Sequence, residues 1–281
     1  MSVTTWWKSC VSTSASTKAN PAVHLGGEVV LTQKLDLEKL NRDFETKKPQ
    51  EIIAWAVAQF APRFAATSSF GPESGALLHM LSRVDPAVPV LFLETGYHFS
   101  ETLEYKKRLT QLFGLKNVVD LRADQEKKAK VVKEYQGVPY EKNPDLCCHI
   151  NKVEPLDLAL KNYVAWMSGI RRHQTDFRKS VRIVEEYEGG VYKISPLANF
   201  TSRDSWWYLK EHQIPTHPLY EKGYFSIGCW PCTRPVQSGD DERSGRWAGK
   251  AKTECGIHTF KEVKNKEEGE KEPPADLSPN I

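Results

Sequence analysis

The eight residues VPVLFLET, 88–95, are apolar up to Glu94 and do not alternate. A strand with one wet face would alternate, so this run needs cover on both faces, which a parallel sheet with helices on either side provides. The flanking sequence agrees. RFAATSSFG, ahead of the run, reads as a short strand ending in a turn of small residues, with ESGALLHMLSRV as the helix between the two. SETLEYKKRLTQLFG reads as the next helix and NVVDLRA as another strand. Strands and amphipathic helices in strict alternation predict an α/β fold, a parallel sheet with right-handed crossovers.

Helical spacing also runs upstream from Leu35 to Phe60, clearest in PQEIIAWAVAQF. Downstream, DLALKNYVAWMSGI reads as helix then strand, GVYKISPL as a short strand and SRDSWWYLKEHQI as an N-capped helix, so the sheet extends past residue 190. Proline and glycine become frequent after His217. The expected organisation is a flexible segment 1–33, a core domain 34–242, a mobile glycine-punctuated segment 243–260 and a disordered tail 261–281 with almost no large apolar residue.

With 281 residues, 40% of them hydrophobic, the chain can bury a real core. No stretch approaches the roughly 18 consecutive apolar residues of a membrane span. The N-terminus lacks the basic end and apolar core of a signal peptide, and its Ser/Thr bias comes without the arginines of a transit peptide. These features predict a soluble, cytoplasmic protein with no membrane partner. A net charge of +3 is too small for general nucleic-acid binding, so an anionic partner has to be held by a local site.

Three groups of residues suggest that site. The turn SSFGPES follows the first strand and opens a helix, where backbone N–H groups and the helix dipole favour an anion; Ser68, Ser69, Phe70 and Gly71 are the candidate phosphate contacts. No Walker lysine follows, which excludes P-loop hydrolysis, and the same residues would also serve an ordinary strand-to-helix turn. Cys147 and Cys148 are adjacent, and after 80 intervening residues Cys229 and Cys232 form CWPC. Without a secretion signal, such pairs favour metal binding or thiol chemistry over disulfides. Adjacent cysteines fit poorly on one zinc ion but can reach different irons of a cubane, which favours a four-iron, four-sulfur cluster over structural zinc. Basic residues form the third group: Lys152 beside the first pair, Arg171 and Arg172 at a strand end, and Arg243 and Arg246 three apart. Guanidinium groups bind phosphate and sulfate in bidentate fashion. Cys255, in KTECGIHTF, stands outside the cysteine pairs amid charge and glycine, as a thiol meant to be reached would. Cys10 lies in a weakly patterned stretch and is read as incidental.

In order, SSFG, LETGYHFSET, CC…NKVEP, GIRRHQ, HPLYEKGYFSIGCWPCTRPV and ECGIH resemble the assimilatory adenylyl-sulfate reductases of the iron–sulfur type, relatives of the 3′-phosphoadenylyl-sulfate reductases. The resemblance spans roughly residues 50 to 260. It implies an adenine-nucleotide α-hydrolase-like fold and a 4Fe-4S cluster on Cys147, Cys148, Cys229 and Cys232, with Lys152 close by. It also implies that Cys255 attacks the sulfate sulfur, expels AMP and carries an S-sulfocysteine. Arg243, Arg246 and His258 would lower the pKa of that thiol. Gly245, Gly249 and Gly256 would let its segment swing. The 23 residues after His258 are too few for the glutaredoxin-like domain fused in plant-type relatives, so a separate thioredoxin is the expected reductant. A homo-oligomer is allowed. Two motifs depart from the pattern: SSFGPES is similar to the cluster-free, 3′-phosphorylated-substrate branch, and the usual DTG is ETG, with Glu94. The cluster cysteines argue for adenylyl sulfate, and the loop keeps the 3′-phosphorylated substrate as the alternative. A tRNA sulfur-insertion enzyme would need an SGGxDS loop, which this chain lacks; a zinc interaction module would leave ECGIH without purpose.

Overall fold

A computed structural model describes residues 34–187, 190–237 and 239–258, together with the backbone of Val23–Leu25 and Glu28–Val30. Those two short strands, β1 and β2, pair as an antiparallel hairpin within the segment expected to be flexible. The rest of that segment, Cys10 and the tail 261–281 lie outside the described residues.

Helix α1 (Leu37–Phe44) starts where the Asp36 side chain accepts the Lys39 N–H at 2.9 Å. The single helical stretch expected over 35–60 is two helices. Pro49 forces Lys48 into extended backbone (φ −70°, ψ 145°), so α2 (Pro49–Phe60) begins afresh. The chain continues with β3 (Phe64–Thr67), α3 (Ser74–Val84), β4 (Val90–Leu93) and α4 (Ser100–Phe113), which Gly114 ends in the left-handed region at φ 62°. Next come β5 (Val118–Leu121), α5 (Gln125–Glu134), α6 (Pro139–Lys142) and α7 (Pro144–Cys148). A π-helical turn (His149–Val153) then runs into α8 (Glu154–Leu160) and β6 (Ala165–Met167). Finally β7 (Val184–Tyr187), β8 (Val191–Ile194) and α9 (Ser202–Glu211) complete the domain.

The six-stranded sheet has the order β5-β4-β3-β6-β8-β7, and every pairing is parallel except the edge pair β7·β8. Strand β7, sequence VEEY, was not anticipated: only Val184 is buried, so it carries no apolar run to betray it. Both faces of the sheet are covered, as VPVLFLET required. Phe64, Ala66, Val90 and Phe92 face the larger core beneath α2, α3 and α9, while Ala65, Leu91 and Trp166 face a smaller cluster with Leu156 and Leu160 of α8. Among the described residues no helix is long and apolar enough to cross a membrane.

The chain builds outward from β3 through β4 to β5, then returns to the other side of β3 with β6. This reversal opens a crevice at the carboxyl ends of β3 and β6, the place where open α/β sheets bind ligands.

Candidate active site

A cavity of about 600 Å³ occupies that crevice. Its floor is the two strand ends, tied together by the Thr67 hydroxyl donating to the Met167 carbonyl at 3.2 Å. Ser68, Ser69 and Gly71 line it, as expected from the turn. Phe70 does not. Its backbone is left-handed (φ 48°), its side chain is fully buried edge-on to Phe92, and its N–H donates to the Ser68 hydroxyl at 3.1 Å. Its side chain anchors the turn in the core.

The arginines divide by role. Arg171 lines the cavity but is 2% exposed, and its guanidinium is committed to the Glu73 carboxylate and to the Ser205 hydroxyl at 3.0 Å, leaving Nε without a partner. Arg172 is structural: it pairs with Glu45 at 2.7 Å, donates to the Val181 carbonyl and lies outside the cavity lining. Arg243 lines the cavity and donates to the Ser226 hydroxyl at 3.3 Å and to the Thr253 carbonyl at 3.1 Å. Burial, with repulsion from Arg178 and Arg246, pulls its pKa down to about 10. Arg246 lies over the Trp247 ring, 4.4 Å from its centroid, and against Gly228. The sequence reading missed Arg178, which joins this group from the 3₁₀ turn Asp176–Ser180; no periodicity in that turn marks it.

Cys255 lines the same cavity. Its neighbour Glu254 is buried against Arg178, which donates Nε and Nη2 to the two carboxylate oxygens at 2.7 Å each. Burial pushes the Glu254 carboxyl up, but Arg178, Arg243 and Thr175 more than offset it and hold it below the usual range. Ile257 packs on the smaller apolar cluster, and the His258 ring stacks on Trp166 with 9° between planes. Burial first, then Lys193, Arg178 and Arg243, hold His258 far below its ordinary value. It is therefore neutral, and is not the cation expected beside Cys255.

The segment 243–258 packs on the domain through backbone hydrogen bonds. Arg234 N–H donates to the Gly245 carbonyl at 2.9 Å and Trp247 N–H to the Cys232 carbonyl at 3.0 Å. At Gly245 a Cβ would lie 2.1 Å from the Arg234 carbonyl oxygen, so this glycine permits a close approach; Gly249 and Gly256, at φ 77° and 94°, are the two that use glycine's wider freedom.

The four paired cysteines come together. Cys147, Cys148, Cys229 and Cys232 line one narrow pocket with Tyr97, Tyr140, Pro144, Asn151 and Lys152. Asn143 caps α7 by accepting the Leu146 N–H at 3.0 Å, and Asn151 donates to the Cys147 carbonyl at 2.9 Å. The Thr95 hydroxyl lies 3.4 Å from the Cys229 sulfur. Burial, then the charge of Cys148 and Cys229, pushes the Cys147 thiol up to about 12. Lys152 is buried too; burial lowers its pKa, but negative charge on Cys229, Cys148 and Cys255 more than offsets that and raises it. Among the described residues no three His, Cys, Asp or Glu side chains are gathered tightly enough to hold a single metal ion. Lys152 and Cys229 line both this pocket and the larger cavity.

Residues 63–235 match the phosphoadenosine phosphosulfate reductase domain. The chain is 41% identical over 244 residues to an adenosine 5′-phosphosulfate reductase of Mesorhizobium japonicum, covering 86% of this chain and 94% of the relative. It is 44% identical over 228 residues to a phosphoadenosine 5′-phosphosulfate reductase of Gloeobacter violaceus, covering 79% and 93%. The crystal structure of phosphoadenylyl-sulfate reductase from Candida auris, a phosphate complex, superposes with a TM-score of 0.60 at 26% identity, covering 75% of this chain and 98% of that one. The matched domain spans most of the sheet and both cysteine pairs, and the chain belongs to the phosphoadenosine phosphosulfate reductase family.

Proposed function

We propose that the protein reduces adenosine 5′-phosphosulfate (adenylyl sulfate) to sulfite and AMP in sulfate assimilation, with Cys255 as the nucleophile. The observation that carries the reading is the position of Cys255 in the strand-end cavity with Lys152, Arg243 and Arg246. Ser68, Ser69 and Gly71 would seat the nucleotide phosphate. The Cys255 thiolate attacks the sulfate sulfur, a sulfur–sulfur bond forms, and the sulfur–oxygen bond breaks with its electron pair leaving on AMP. Lys152, Arg243 and Arg246 offset the charge growing on that phosphate. A protein dithiol of the thioredoxin class then attacks Cys255 Sγ and displaces sulfite with the bonding pair. Its second thiol resolves the mixed disulfide, so the dithiol is oxidised and Cys255 returns as a thiol. Such a donor fits a cytoplasmic enzyme built as a reductase domain, 34–242, followed by a catalytic segment.

The donor set of the second pocket fits a 4Fe-4S cluster: four thiols, no carboxylate, a buried lysine and the Thr95 hydroxyl beside the sulfurs. Cys147, Cys148, Cys229 and Cys232 would hold it, and when bound it would tune the field at Lys152.

A second reading, reduction of the 3′-phosphorylated substrate, is favoured by the SSFG turn and by the name of the Gloeobacter relative. Glu73 and Glu242 weigh against it. Both line the cavity; burial raises Glu73, its Arg171 partner pulls it back and Glu242 raises it further, and a further phosphate would add negative charge beside these carboxylates. The test is sulfite release from each substrate with thioredoxin supplied, alongside the mass of the Cys255 peptide after substrate alone. Adenylyl sulfate should give the higher kcat/KM and one SO₃ on Cys255. Equal or higher efficiency with the 3′-phosphorylated form, or an adduct elsewhere, reverses the assignment.

A further inference from the structure

We infer that Glu254 is a positioning residue: it draws Cys255 into the cavity by acting as the resident anion of Arg178 and Arg243, and it competes there with oxyanions. The inference rests on Cys255 being the thiol that receives the sulfonate. Several contacts hold the segment around it, and they differ in kind. Lys250 donates to the carbonyls of Tyr140 at 3.1 Å and Glu141 at 2.8 Å, and Lys252 pairs with Asp145, all toward α6 and α7. Ile257 and His258 are held by apolar packing and ring stacking. Glu254 alone among these anchors binds the cavity's own arginines. Its carboxylate accepts from Nε and Nη2 of Arg178, accepts from the Thr175 hydroxyl at 3.2 Å and lies 3.7 Å from Arg243.

Arg178, Arg243 and Glu254 all line the cavity and are all buried or nearly so. Two guanidinium groups this close need an anion, and the chain supplies one on the residue next to Cys255. When Cys255 leaves to meet a protein dithiol, Glu254 leaves with it, and Arg178, on the 3₁₀ turn outside this segment, is opened to any phosphate or sulfate in the cavity, while Arg243 at the segment's start loses its carboxylate partner. Closure and anion binding are therefore antagonistic at this pair.

This coupling gives a signature that a plain structural role would not. Glu254→Gln keeps the shape and removes the charge. On the anaerobically prepared holoenzyme, AMP affinity by calorimetry should rise about threefold to tenfold, because the arginines lose their competitor. Iodoacetamide should alkylate Cys255, followed by peptide mass, roughly tenfold faster, while S-sulfonation in a single turnover slows by at least about tenfold. Glu254→Asp, which keeps the charge, should restore the wild-type AMP affinity more than the wild-type sulfonation rate. Should Glu254→Gln not fold, the wild type still decides: inorganic sulfate should speed Cys255 alkylation, and chloride at equal ionic strength should not. Unchanged AMP affinity with unchanged alkylation, weakened AMP binding in the variant, or no sulfate effect on the wild type would each overturn the inference. If no adduct forms on the wild type but alkylation and AMP affinity shift as expected, the proposed reaction fails and the latch stands.

Discussion

Gly228→Ala should remove an arginine from the cavity while leaving the fold intact. A Cβ at this position would lie 2.3 Å from Arg246 Nη2 and 2.7 Å from its Cζ, closer than real Cβ atoms approach anything. Only the far end of a flexible side chain stands in the way, so the guanidinium moves off Trp247 and the backbone stays. The stacking lost is worth about 0.5 to 2 kcal/mol. Gly→Ala returns about 0.4 to 1 kcal/mol through the unfolded chain where the native φ suits alanine. Gly228 is not among the positive-φ positions, so the net effect on stability lies between a gain of about 0.5 and a loss of about 1.6 kcal/mol, at most roughly 6 °C in Tm. The substrate loses a charge-assisted contact of about 1.5 to 3 kcal/mol, a fall of roughly 10- to 150-fold in kcat/KM. Sulfite release and thermal melting measure the two effects. Gly245→Ala is the contrast, since its Cβ meets the Arg234 carbonyl oxygen at 2.1 Å and backbone has to yield; it should lower Tm clearly. The reasoning is refuted if Gly228→Ala keeps kcat/KM within about threefold of wild type, or melts as low as Gly245→Ala.

Stability should fall in mild acid. Burial holds the His217 pKa down to about 4, and the Leu219 N–H donates to its Nδ1 at 3.2 Å. The unfolded chain takes up this proton first, so between about pH 6.5 and pH 4 folding loses up to about 3 kcal/mol, and His217→Gln should flatten that slope in urea titrations. Anaerobically purified protein should contain iron and acid-labile sulfide, and Cys229→Ser should lose both; stoichiometric zinc without sulfide would contradict the cluster.

The strand–helix alternation was readable because burial on both faces writes itself as unbroken apolar runs, as in VPVLFLET. Strand β7 left no such trace, since as an antiparallel edge it needs only Val184 inside. Cys255, Lys152 and Arg246, singled out by their places near cysteines and glycines in the sequence, line the cavity. A turn's sequence does not say which members point inward: the core takes the Phe70 ring and leaves its backbone to shape the turn. Arg178 was missed because its meaning lies in Glu254, 76 residues away, and no local pattern joins the two.

One local irregularity links the two halves of the site. An α-helix would set Cys148 and Lys152, four apart, on one face and turn Cys147, five apart from Lys152, away. The turn His149–Val153 is π-helical, with the Glu154 N–H reaching the His149 carbonyl. Its i→i+5 closure widens the turn and brings residues five apart nearer to one side. Cys147, Cys148 and Lys152 can then all line the cysteine pocket, and Lys152 reaches through to the cavity that holds Cys255. At Lys152 burial lowers the pKa, and the influence of the Cys229, Cys148 and Cys255 sulfurs outweighs it and raises the pKa. Lys152 lines both the cysteine pocket and the cavity that holds Cys255, and the π-turn is the local irregularity that lets one side chain do so.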